Sequence, residues 1–200
     1  MAIAAIAGVV AAAPALPPHL VGAREEIVAG EIWRLLTAHV VHATPSHFAW
    51  DLAAFVVLGA LCERAGRARF VVCLGTSALL IPAALWLWQP SLSSYCGLSG
   101  IDSGLFALLV AGVLRRAVAA RQPSVVVAAS LLAAGFVATV GYEFTTASTV
   151  FVTSMGTPVP LAHVIGAVVG LACGNIPRVL VRGRATAPAT EKSHGPATLD

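Results

Sequence analysis

Residues 95–104 read YCGLSGIDSG and sit within a long apolar run. Ser99 lies between Leu98 and Gly100, and Asp102 follows three residues later. A polar group in lipid must find a partner or cost several kcal/mol. A serine hydroxyl is a weak nucleophile until a base takes its proton, and histidine is the usual base. His163, in AHVIGAVVG, is the candidate base for Ser99. His42, His47 and Asp51 add polar groups in AHVVHATPSHFAWD. A set of this kind suits acyl transfer, with backbone N–H groups at a helix start available to hold an oxyanion. Gly97 and Gly100 bracket the serine and leave the backbone open to an acyl group. Taken singly, each feature also reads as structure. A serine between glycines packs helices, a lone membrane histidine is more often structural or part of an ion path, and four-residue glycine spacing marks a helix contact. Asp102 falls in the first turn of its segment, where the helix dipole favours an anion. The joint occurrence carries the chemical reading.

The elements that must bring these residues together are membrane spans. The chain has 200 residues, 58% of them hydrophobic and 10% charged, against about 25% charged in soluble domains. Six apolar segments fall at about 3–22, 47–62, 70–88, 97–114, 124–141 and 159–177. This predicts an all-α membrane protein of six transmembrane helices spanning residues 1–180, with residues 181–200 a disordered cytoplasmic tail. Arg64, Arg67 and Arg69 follow the second segment, Arg115, Arg116 and Arg121 the fourth, and Arg178, Arg182 and Arg184 the sixth. The positive-inside rule then places both termini in the cytoplasm. Ser99, His163, His42, His47 and Asp51 consequently gather at one depth on the external side. Gly97, Gly100 and Gly104 in the fourth segment, and Gly166, Gly170 and Gly174 in the sixth, would let those two helices approach closely. The first segment lacks a basic start and carries prolines at 14, 17 and 18; it reads as an uncleaved first span rather than a weak signal peptide. Cys62, Cys73, Cys96 and Cys173 have neither zinc-site nor disulfide spacing. The net charge of +3 is too small and too scattered for a nucleic-acid partner.

The motifs also carry a resemblance. The stretch GEIWRLLTAHVVHATPSHFAWDLAAFVVLGALCE, the GLSG around Ser99 and the AHVIGAVVG around His163 together resemble, in order, the motifs of the rhomboid intramembrane serine proteases over about residues 30–177. The resemblance implies a rhomboid-like bundle in which Ser99 is the nucleophile and His163 the general base, a dyad with no third acid. It implies that His47 supports the oxyanion, with Gly97 and Asp51 beside it, and that His42 and Arg34 hold the first loop in shape. The external loop 142–158 would be a flexible cap. Two positions depart from the pattern. Asp51 stands where rhomboids usually have an oxyanion-binding Asn; an ionised Asp accepts only, whereas an Asp protonated through burial would donate. Ser103 replaces an aromatic residue often packed under the base.

The small six-span size, GLSGIDSGLFA and YEF…VPLAH are similar to the rhombosortase branch. That branch implies a multi-pass protein of the bacterial cytoplasmic (inner) membrane. It would process single-span membrane proteins bearing a C-terminal Gly-Gly sorting signal, with the lipid bilayer as its setting and with no metal, cofactor or nucleic acid. No oligomeric state is implied. Asp51 motivates the alternative, a catalytically inactive rhomboid-like protein that binds membrane helices. A proton or ion carrier using His163, Asp102 and Asp51 is a third reading, disfavoured because these residues sit towards one face.

Overall fold

The computed structural model describes residues 2–13, 15–148 and 158–176. The chain folds as α1 (Ala2–Ala12), α2 (Pro17–Leu20), β1 (Gly22–Ala23), α3 (Arg24–Val28) and α4 (Arg34–Thr37), followed by a short 3-10 turn at Ala38–Val40. There follow α5 (Pro45–Trp88), β2 (Ser94–Tyr95), α6 (Ser99–Ala119), α7 (Pro123–Thr146) and α8 (Pro160–Asn175). The architecture is all-α apart from one antiparallel two-residue ladder, Gly22 opposite Tyr95 and Ala23 opposite Ser94. Among the described residues, α5 and α7 are the two helices long and apolar enough to cross a bilayer by length and composition. α6 has the length, but it carries Asp102 near one end and Arg115 and Arg116 near the other.

One expected segment is divided in the structure, and two others are joined. The first, 3–22, is not one helix. α1 has 11 residues, about half of the ~20 needed to span a bilayer. Pro17 and Pro18 open a separate four-residue helix, as proline's missing N–H and fixed φ dictate. The second and third segments form one helical run, α5, broken at Gly66 (φ 170°, ψ 92°). The chain reverses there. In the first arm Asp51 meets the Ser99 amide and Cys62 meets the Leu105 carbonyl. In the second arm a Cβ on Gly104 would touch Ser77, and one on Gly100 would touch Ile81. The first arm therefore runs alongside α6 and the second returns. Residues 149–157 of the expected cap loop, and the expected tail at 181–200, lie outside the described residues.

The core is the α6–α8 contact, backed by α5. A Cβ on Gly166 would collide with the Gly100 carbonyl oxygen, and one on Gly170 with that of Gly104. The two backbones touch, as the glycine spacing predicts. Leu98, Ile101 and Leu105 on α6 and its approach pack with Ile81 and Cys73 on α5, all almost fully buried. The segment entering α6 is tied down by residues 22–24. Besides the two-residue ladder, the Arg24 backbone N–H donates to Ser93 O. The Arg24 guanidinium donates to the carbonyls of Trp86, Gln89 and Leu92 and lies 4.2 Å from the centre of the Trp86 ring. It thereby satisfies carbonyls left open where α5 ends. Arg34 is buried and donates to Glu31, Pro18 O and Val21 O, joining three parts of the first loop.

The backbone contact sets the first prediction. Gly166→Ala forces the helices apart and destabilises by about 1–3 kcal/mol, as overpacking does. Gly135→Ala on α7 meets nothing within 4 Å and gains about 0.5–1 kcal/mol from the better helix former. Thermal unfolding of both variants in detergent checks this; equal melting would contradict the backbone contact.

Candidate active site

Ser99 is the first residue of α6, and Gly97, two residues earlier, makes the turn into the helix. Gly97 has φ +113°, a region that L side chains rarely adopt. A Cβ there would also sit 2.9 Å from the His47 ring and 3.2 Å from Asp51 Oδ2. Its N–H donates to Ala38 O at 3.0 Å, and its carbonyl accepts from the buried Tyr95 hydroxyl at 3.3 Å. The turn is thus held from both sides before the serine is reached.

His163 lies in the first turn of α8, which opens at Pro160 with proline's φ already set for a helix. Its Nε2 is 3.1 Å from Ser99 Oγ, a hydrogen bond spanning 64 residues of sequence. The α6–α8 glycine contact is what brings the two together. Ser103 Oγ, at the position that departs from the family pattern, donates to the Ser99 carbonyl at 2.8 Å. That bond steadies the first turn of α6.

On the other side of Ser99 stands the start of α5. Thr44 caps that helix, its Oγ1 accepting from the His47 amide at 3.1 Å, and Pro45 follows at N1. His47 and Asp51 are four residues apart on the helix, so they share one face. Asp51 Oδ2 accepts the backbone N–H of Leu98 at 2.9 Å and that of Ser99 at 3.1 Å. His47 Nε2 lies 3.1 Å and His42 Nε2 3.3 Å from the same oxygen. The His42 ring meets those of His47 and Phe48 edge-on, at 5.1 and 5.3 Å between centroids. Two backbone N–H donors and two imidazole nitrogens therefore converge on one carboxylate oxygen beside the serine. Of the two roles open to Asp51, the structure shows its Oδ2 accepting, from the amides of Leu98 and Ser99.

The resemblance implies a pair without an acid, and the structure sets a carboxylate beside the base. Glu143 Oε2 lies 2.9 Å from His163 Nδ1, and Glu143 is 6% exposed. Sequence reasoning missed it by ending the fifth segment at 141; α7 runs on to Thr146 and carries Glu143 inward. A signal was available. Glu143 is the sole charged residue of α7 and stands near its C-terminal end, where the helix dipole disfavours an anion. Such a residue needs a partner.

These groups face a cavity of about 600 Å³ whose walls come from α5, α6, α7 and α8. Trp50, Leu58, Phe106 and Phe136 make much of it apolar. Asp102 also lines it, buried in the first turn of α6, with neither carboxylate oxygen hydrogen-bonded among the described residues. No group of His, Cys, Asp and Glu that could hold a metal ion occurs among the described residues. Chemically, a serine hydroxyl against an imidazole, beside convergent N–H donors and in a cavity walled by apolar helices, is an arrangement for acyl transfer.

The family model described as the Rhomboid domain matches residues 29–178, three quarters of the chain. No curated protein matches it.

The Ser99–His163 bond predicts reactivity independent of any substrate. A fluorophosphonate labels the wild-type protein at Ser99, and His163→Ala slows labelling by about 100-fold or more, the range for losing a general base. Equal labelling of the two proteins would mean that the imidazole does not activate the hydroxyl.

Proposed function

The chain belongs to the rhomboid family, a family of intramembrane proteases in helical membrane bundles, and on that premise we propose that it is an intramembrane serine endopeptidase. The observation that carries the reading is the 3.1 Å contact between His163 Nε2 and Ser99 Oγ at the wall of a cavity between helices. In the proposed reaction, His163 takes the hydroxyl proton as Ser99 Oγ attacks a peptide carbonyl of the substrate's membrane segment. The carbonyl oxygen becomes an oxyanion, held by the Ser99 amide and His47. The imidazolium then gives its proton to the leaving amine, and the acyl-enzyme is hydrolysed by water with His163 as base. The reaction requires no metal or cofactor in this account.

The arginine pattern supports both termini in the cytoplasm and the site towards the external face, and the rhombosortase resemblance suggests a multi-pass protein of a bacterial inner membrane. Within the family the reading extends to the rhombosortase branch, with single-span substrates that carry a C-terminal Gly-Gly sorting signal. Support for the branch lies in GLSGIDSGLFA and YEF…VPLAH.

A second reading rests on a specific observation. Asp51 Oδ2 accepts the Ser99 amide and lies 3.1 Å from His47 Nε2, the two groups the proposed oxyanion would use, which suits an inactive family member that binds membrane helices. Intact Ser99 and His163 in hydrogen-bond contact favour the enzyme.

Co-expression with two reporters separates these readings, one bearing a Gly-Gly signal and membrane helix, the other a generic single span. The protease reading expects cleavage that Ser99→Ala reduces by about four orders of magnitude or more; cleavage undiminished in Ser99→Ala refutes it. Cleavage of the first reporter alone supports the rhombosortase branch and cleavage of both a general rhomboid; if neither is cut, absence of fluorophosphonate labelling at Ser99 supports the binder, and labelling at Ser99 supports a protease with another substrate. Asp51→Asn removes the carboxylate that competes for the oxyanion donors, so its cleavage rate equals or exceeds wild type. A rate as low as that of Ser99→Ala would make Asp51 a required part of the site instead.

A further inference from the structure

Glu143 is expensive where it stands. It is one of three buried residues of α7, with Ala129 and Val140. Burial opposes its charge, and so does its place near the helix C-terminus. The contact that offsets both costs is with His163 Nδ1 at 2.9 Å. A histidine can present a lone pair to Ser99 through Nε2 only if its other nitrogen carries the proton. An ionised carboxylate at Nδ1 enforces that tautomer, because it can accept a hydrogen bond but has none to donate.

Resting on the protease reading above, we infer that Glu143 is a positioning residue that completes a Ser99–His163–Glu143 triad. In the free site His163 Nδ1–H donates to Glu143, and Nε2 accepts from the Ser99 hydroxyl. During attack the hydroxyl proton moves to Nε2 as the new C–O bond forms, and the imidazolium keeps its Nδ1–H. Glu143 stays ionised and stabilises that cation. When the C–N bond breaks, the Nε2 proton passes to the leaving amine and the free-site arrangement returns. The acid is delivered by α7, a different helix from those carrying the nucleophile and the base. A purely structural Glu143 would instead dock α7 onto α8 and leave the chemistry of His163 alone.

The test uses the full-length protein in detergent or liposomes, with Glu143→Gln and Glu143→Ala beside wild type. The triad reading expects kcat to fall by about 10²- to 10⁴-fold, as when the acid of a serine-protease triad is replaced, with KM within a few-fold of wild type. Selective 15N labelling of histidine gives a second readout. Neutral His163 carries its proton on Nδ1 in wild type, and in Glu143→Ala the proton redistributes towards Nε2. Wild-type kcat in Glu143→Gln, or a tautomer indifferent to Glu143→Ala, overturns the inference. If neither variant folds, the wild-type spectrum decides alone, since a neutral Nε2–H tautomer is incompatible with the role. Absence of Ser99-dependent cleavage by wild type refutes the protease reading instead, and the tautomer measurement still tests what Glu143 does to His163.

Discussion

The contact between α6 and α8 is the constraint on which the rest of the structure depends. Lipid tails are as apolar as leucine, so the hydrophobic effect does not press membrane helices together. Close backbone approach supplies dispersion in its place, and here the approach is so close that Gly166 and Gly170 leave no room for a methyl group against the carbonyls of Gly100 and Gly104. The four-residue spacing repeats on both helices, and this sets their relative height as well as their separation. A slip of one helical turn would displace His163 by about 5.4 Å along the axis, far beyond reach of Ser99 Oγ. The Ser99–His163 contact is therefore a consequence of packing several residues deeper in the bundle.

Negative charge is the second constraint. Three carboxylates line the same cavity, and each is handled differently. Asp51 meets two backbone amides and two imidazoles through one oxygen. Glu143 meets the Nδ1 of His163. Asp102 is buried in the first turn of α6 with no hydrogen-bond partner among the described residues. Near the start of α5 Asp51 takes two amides and two imidazoles, in the first turn of α6 Asp102 takes none among the described residues, and near the end of α7 Glu143 takes one imidazole nitrogen.

The residues legible in the sequence were those whose placement follows from span topology and short motifs. Ser99, His163, His42, His47 and Asp51 needed only the order of apolar segments and the sign of the loops to fall at one depth, and the structure brings all five to one cavity or its edge. The glycine contact was legible because spacing alone defines a helix face. Glu143 was not, because its place depends on one extra turn of α7 beyond the apolar stretch and on the rotation of that helix, neither of which hydropathy reports. The first segment misled for a related reason: its composition is apolar throughout, but prolines divide it, and backbone chemistry overrides hydropathy there. The direction of Asp51 was equally hidden, since it depends on the amides one and two residues after Gly97, a glycine with positive φ.

On the protease reading, Asp51 bears on the proposed catalysis in a way that the identity of the residue alone would not suggest. An acid beside a site that must hold an oxyanion looks like an obstacle, because like charges repel. The donors, however, are already arranged around an anionic oxygen in the resting state. The amides of Leu98 and Ser99 point at it and His47 stands within 3.1 Å. A hole organised around a carboxylate needs little rearrangement to hold an alkoxide, since fixed dipoles that favour one favour the other. What the acid costs is exchange: a substrate oxygen must displace Oδ2 from its donors before it can use them. A substrate that binds too weakly to drive that displacement leaves the donors satisfied and the serine without an oxyanion site. The carboxylate would thus set a threshold on how firmly a substrate must be held in the cavity before the bond to Ser99 can form.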